Sequence, residues 1–117
     1  MSEVQEEDLI IQQGSVYLHV FSYVDSVGAA KNLTGFTARM QIRKKITSAT
    51  PEYDSATGND ITITDAVNGK ITLVIPTAVT ALFTFSSGFY DIEIVDSSGE
   101  ATRILQGEVT LSKEVTR

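Results

Sequence analysis

Cysteine and tryptophan are absent from the 117 residues, histidine occurs once and proline twice. Without cysteine there is no disulfide framework, no zinc knuckle and no thiol nucleophile. The single histidine, His19, leaves no Cys/His metal cluster. Positive charge is also scarce. Nine Lys and Arg stand against fifteen Asp and Glu, a formal charge of −6, which is the wrong sign for a surface that grips phosphate, so no nucleic-acid partner is expected. No stretch approaches the ~20 apolar residues of a membrane span. The opening residues, Met1-Ser-Glu-Val-Gln-Glu-Glu-Asp8, are acidic where a secretory signal is basic and then apolar. No membrane association is therefore expected, and a chain without cysteine suits synthesis in a reducing cytoplasm.

What is present is a β-rich pattern. At 42% hydrophobic and 21% charged the composition is that of one globular domain, and the length suits a single unit spanning 1–117 with an acidic N-terminal arm. Phe36, Ala38, Met40 and Ile42 alternate with Thr37, Arg39, Gln41 and Arg43, and the same period of two recurs in Ile61–Thr64, Ile71–Ile75 and Tyr90–Ile94. Turn-forming clusters separate the runs: Asp25–Gly28, Asn68-Gly69 and Ser97–Gly99. The pattern predicts strands over 8–12, 15–24, 36–45, 60–65, 70–75, 88–96 and 101–112, the last bent near Gly107. Pro76 opens one short helical turn over Thr77–Phe83, and 46–60 is expected to be a mobile connection. The fold class is all-β, an antiparallel sandwich of about seven strands. The expected core includes Val20, Phe36, Met40, Ile42, Ile63, Leu73, Ile92, Ile94 and Ile104.

Two hairpins have an expected register. Pairing Ile63 with Leu73 and Ile61 with Ile75 leaves Val67-Asn68-Gly69 as a loop with Gly69 left-handed. Around Ser97-Ser98-Gly99, Asp96 opposes Glu100, Glu93 opposes Arg103 and Ile92 opposes Ile104.

Chemistry-bearing patterns are thin. Asp91 and Glu93 share a strand face as a glycosidase pair does, yet acids beside Arg103 suit a solvated outer face better. His19 has no Gly-x-Ser-x-Gly elbow to serve. Asp96–Glu100 lacks the alternating ligands of a calcium loop, and Arg43-Lys44-Lys45 suits a guarded strand edge. No enzyme activity, metal or cofactor is expected. One strand departs from the ordinary: Ser15–Val24 offers Val16, Leu18 and Val20 to one side and Tyr17, His19, Phe21 and Tyr23 to the other. Either both sides are covered within the fold, or the aromatic side is a protein-contact surface. Tyr17, His19, Phe21 and Tyr23 are thus the candidate contact residues.

The order of motifs carries a resemblance. Asp8-Leu-Ile-Ile-Gln-Gln-Gly14 is followed by Tyr23-Val-Asp25, Asn32-Leu-Thr-Gly35 running into Phe36–Lys44, and Gly69–Pro76. Then come Gly88-Phe-Tyr-Asp-Ile-Glu-Ile-Val-Asp96 and Ser98–Ser112 with its Arg103-Ile-Leu-Gln-Gly107. Over nearly its whole length the chain resembles small virion proteins from the tail and fibre region of tailed bacteriophages, and it is similar to the N-terminal immunoglobulin-like domain of phage baseplate upper proteins. The resemblance implies an Ig-like β-sandwich acting as a non-enzymatic structural or adaptor module in the virion, made in the host cytoplasm. It implies docking to other virion proteins in multiple, symmetrically arranged copies. Baseplate upper proteins continue into a receptor-binding stem and this sequence stops at Arg117, which favours an adaptor. The alternative is a carbohydrate- or receptor-binding sandwich module, with Tyr17, Phe21 and Tyr23 as its platform.

Overall fold

Alternating side chains form sheets only when their apolar faces find one another, and the strands here meet across a common core. The computed structural model of the chain describes residues 4–25 and 27–116. The strands are β1 (Gln5–Glu6), β2 (Leu9–Gln12), β3 (Tyr17–Ser22), β4 (Thr37–Arg43), β5 (Tyr53–Asp54), β6 (Ile61–Asp65), β7 (Lys70–Ile75), β8 (Ser87–Val95) and β9 (Ala101–Ser112). One helical turn, α1 (Thr77–Thr80), follows β7. The larger sheet has the order β1-β9-β8-β4-β5, with β2 also on β9; the smaller is β3-β7-β6. Each expected strand is present, and the architecture is an all-β sandwich with the strand order of an Ig-like fold.

The acidic N-terminal arm enters a strand at Gln5, and its first three residues lie outside the described ones. Several expectations need correction. Both β1 and β2 pair with β9 in parallel, Gln5 beside Leu105 and Leu9 beside Val109, so the sandwich is not wholly antiparallel. The 46–60 connection is also structured. It holds β5 and a 3-10 turn at Ser55–Thr57, whose second amide, Ala56 N–H, donates to the capping Asp54 carboxylate. The local reason is Tyr53, which is buried and donates its hydroxyl to Asp60 Oδ2 at 2.7 Å, while the buried Ser55 Oγ accepts Met40 N–H at 2.9 Å. These contacts pin a polar segment that has no periodicity of its own.

The third correction is register. In the β6–β7 hairpin Ile61 opposes Leu73 and Ile63 opposes Ile71, two residues away from expectation, with Thr64 bulged before Asp65 meets Lys70. A slip of two keeps every side chain on its face, so the apolar pattern could not distinguish the two registers. The turn chemistry holds: Gly69 has φ +66°, and a Cβ there would lie 2.5 Å from the Tyr23 carbonyl oxygen. In the β8–β9 hairpin Glu93 opposes Arg103 as expected, but Ile104 is bulged and Ile92 pairs with Leu105. The bulge lets Ile104 and Leu105, adjacent in sequence, both bury. The expected kink at Gly107 is a close approach instead: a Cβ there would collide with the Glu7 carbonyl oxygen, where the chain crosses from β1 to β2.

The core is built from both sheets. Met40, Ile42, Ile92, Ile94, Ile104 and Leu73 are buried as expected, with Phe36 and Ile63 half-buried against them. The fourth correction is Val20, which is 52% exposed.

Candidate protein-contact surface

The strand that carries the candidate contact residues is inverted relative to expectation. Phe21 and Tyr23 are both only 5% exposed and belong to the core. Tyr17 and His19 are half-buried at the rim of the same inward face. The partner strand decides this. Tyr17 opposes Ile75, His19 opposes Leu73 and Phe21 opposes Ile71, and directly opposed residues share a face. Since Ile71, Leu73 and Ile75 are fully buried, the aromatic side of β3 must turn inward. In the absence of tryptophan, these rings supply bulk to the core. The strand's own pattern, apolar on both faces, held no such information; the alternation of β7 (Lys70, Thr72, Val74 against Ile71, Leu73, Ile75) did.

At the rim the rings pack in series. His19 lies edge-on to Phe21 at 4.4 Å between centroids and parallel to Tyr17 at 6.1 Å. His19 Nε2 and Glu7 Oε2 are hydrogen-bonded at 2.9 Å, tying β3 to the β1–β2 crossover. Partial burial, and then the nearby Glu7 charge, push the Tyr17 phenol up to about 12. The Tyr90 hydroxyl donates to the Glu7 carbonyl, and burial likewise raises its pKa well above the usual phenol range. This cluster ties β3 to the segment between β1 and β2.

Two surfaces face outward in its stead. On the smaller sheet, Val16, Leu18, Val20 and Val74 are 58%, 63%, 52% and 39% exposed, with Leu18 directly opposite Val74. On the larger sheet the outer face forms an open trough of about 1080 Å³. Its floor is ruled in rows by the strand register. Glu6, Gln106, Asp91, Gln41 and Asp54 follow one another across five strands, flanked by Arg103, Glu93 and Arg39 on one side and Glu108, Phe89 and Arg43 on the other.

The trough's three arginines are all engaged, but seven acids line it, so its net charge is negative. Arg39 Nε donates to Glu93 Oε1 at 2.8 Å, and Arg103 Nε lies 3.6 Å from Asp91 Oδ2. Arg43 donates to Gln41 Oε1 and to the Ser48 carbonyl oxygen. Arg43 thus sits on an interior strand of the sheet, not at a guarded edge. Burial and the adjacent Glu93 charge hold the Asp91 carboxyl above its ordinary value, with Arg103 opposing. Glu93 is committed to Arg39, so the Asp91/Glu93 pair is laid out as a surface ion network. Asp96 caps its own turn, accepting Ser98 N–H and Glu100 N–H. Among the described residues no three His, Cys, Asp or Glu side chains are grouped to hold a metal ion, and no helix is long and apolar enough to cross a membrane.

The fold and its surfaces define a class: a small Ig-like β-sandwich whose larger sheet has a polar, acidic outer face and whose smaller sheet exposes Leu18 and Val20 on its edge strand. No family model and no curated protein matches the sequence. Among solved structures the chain is similar to the N-terminal domain of ORF48 of phage TP901-1, with a TM-score of 0.61, at 13% identity, over 95% of this chain and 91% of that one. At that identity the likeness is one of fold.

Proposed function

We propose that this protein is a non-enzymatic structural or adaptor component of a tailed-phage virion, working by docking to tail, baseplate or fibre proteins in multiple copies. The observation that carries the reading is the near full-length match of its fold to a domain of a phage protein, which agrees in kind with the motif order along the sequence. Two surfaces support it: the open polar trough of the larger sheet and the exposed Leu18 and Val20 of β3. The carbohydrate-binding alternative loses its platform, because Phe21 and Tyr23 are core residues.

The test is quantitative mass spectrometry of purified particles. The protein is expected in a fixed multiple per particle, as a part reused around a symmetry axis requires. Its absence from particles that contain the other tail proteins overturns the reading.

A further inference from the structure

In constant-type Ig sandwiches the first strand lies beside the second and covers its edge. Here the first strand is spent on the other sheet, where β1 and β2 pair with β9, and among the described residues the outer edge of β3 has no neighbour in its sheet. Tyr23 N–H donates to Gly69 O. Alternation along the ladder then turns the odd-numbered backbone groups of β3 toward β7 and aims those of Leu18, Val20 and Ser22 at the open edge.

Exposed edges are normally blunted by charge, bulges or brevity. The other edges here are. β6 carries a bulge at Thr64 and lies between Asp60 and Asp65; β5 is two residues long; and the β1–β2 segment carries Glu6, Glu7 and Asp8. β3 has none of these. It runs six residues without interruption, no carboxylate or ammonium lies in it, and its outward side chains include Leu18 and Val20.

We infer that β3 is a self-association edge, pairing antiparallel with β3 of a second copy of this chain about a two-fold axis at His19. That register brings together residues whose numbers sum to 38. Leu18 exchanges both backbone hydrogen bonds with Val20 of the second copy, Val20 does so with its Leu18, and Val16 meets its Ser22. The two outer faces become one six-stranded surface, in which Val74, Leu18 and the second copy's Val20 stand in a row. Charge permits self-pairing on this edge and opposes it on the others. The same operation on β6 or on the β1–β2 segment would set acids against acids in a protein of charge −6, whereas β3 meets itself without a like-charge pair in its outward row. The two His19 rings meet on the inner side, each hydrogen-bonded to a Glu7 carboxylate of its own chain. Six strand residues a side are far fewer than the ~20–30 of a standard interface, so the pair is weak in free solution and gains strength where copies are already held close.

Sedimentation equilibrium between about 20 μM and 1 mM, the range for a contact worth roughly 4–6 kcal/mol, tests this alongside backbone amide exchange by NMR. The expected result is a monomer–dimer equilibrium in which exchange at Leu18 and Val20 slows as dimer forms. Val20→Lys, at an exposed position that folding does not need, is expected to weaken the dimer at least ~10-fold. Thr62→Lys, on the opposite edge of the same sheet, is expected to leave it unchanged. A strictly monomeric wild type, a Val20→Lys protein that dimerises equally well, or protection confined to another edge overturns the proposal. So does slowed exchange at Leu18 and Val20 only when a different protein is added. Self-association does not depend on the virion reading, and either can fail without the other.

Discussion

The two sheets bury the same kind of inner face and present opposite outer ones. Outside the larger sheet, arginines, acids and amides are ranked in register and paired; outside the smaller, Val16, Leu18, Val20 and Val74 stand uncharged in solvent. The difference is between a surface finished in itself and one that gains by being covered. It also explains why the faces of β4 follow from its sequence and those of β3 do not. A polar outer row, such as Thr37, Arg39, Gln41 and Arg43, identifies its opposite row as core. A strand apolar on both sides identifies nothing until its neighbour is known.

The sharpest way to break the comparison is on β3 itself. Phe21→Ala is expected to cost ~3–5 kcal/mol of unfolding free energy, and Ile92→Ala in the other sheet ~2–5, as large buried side chains do. Leu18→Ala, three residues from Phe21, is expected to stay within about 0.5 kcal/mol. Urea denaturation of the three variants checks all of it, and a large loss for Leu18→Ala with none for Phe21→Ala would mean the strand is turned over.

Next in size is the anchor of the smaller sheet's hairpin. Gly69→Ala is expected to destabilise by about 1–3 kcal/mol, since its left-handed backbone disfavours a side chain and the Tyr23 and Lys31 carbonyls leave no room for one. A neutral result in the same denaturation series would show that the turn relaxes freely.

Alkali separates the sheets by a smaller effect. The Tyr17 phenol is held at about 12 in the fold and ionises near 10 when unfolded. The unfolded chain therefore loses its proton first, and stability falls as pH rises from 10 toward 12. Tyr17→Phe is expected to flatten that slope, measured as the urea midpoint at a series of alkaline pH values. An unchanged slope would assign it to Tyr53 and Tyr90, which are also raised.

The smallest effect belongs to the polar face. A double-mutant cycle on Arg39 and Glu93 is expected to give ~0.2–1 kcal/mol at low salt and less at high salt. Arg103 with Glu93, opposite in register but not ion-paired, is expected to give less than the Arg39 pair. Equal coupling in the two cycles would mean the ion pairs exchange partners in solution.

The positions of seven strands, the helical turn and most of the core were legible, because period-two alternation with a polar outer row is a direct image of a half-buried strand. Gly69 was legible as a left-handed residue, though not the register it closes, because a shift of two residues changes no face. β1 and β5 were illegible for a different reason: two-residue strands have no period, and theirs are set by distant partners, Leu105 for Gln5 and Ile42 for Tyr53. The orientation of β3 was not legible: Phe21 and Tyr23 are buried where an exposed aromatic side was one of the two readings. The residues that stay outside, Leu18 and Val20, are the ones a core would ordinarily claim, and only the pairing of β3 with β7 shows that Tyr17, Phe21 and Tyr23 took that place.

The parallel pairing of β2 with β9 has a consequence in time. Leu9 meets Val109 and Gln12 meets Ser112, so the ladder's partners lie 100 residues apart (109 less 9). At ~5–20 residues per second, a ribosome that has delivered Leu9 needs about 5–20 s more to deliver Val109. Throughout that interval Leu9 and Ile11, nearly fully buried in the finished fold, have no strand to lie against. The long loop they close makes it a late, slow contact. The sandwich is thus sealed by strands from opposite ends of the fold, and a nascent chain that has not yet delivered Ser112 cannot complete the ladder.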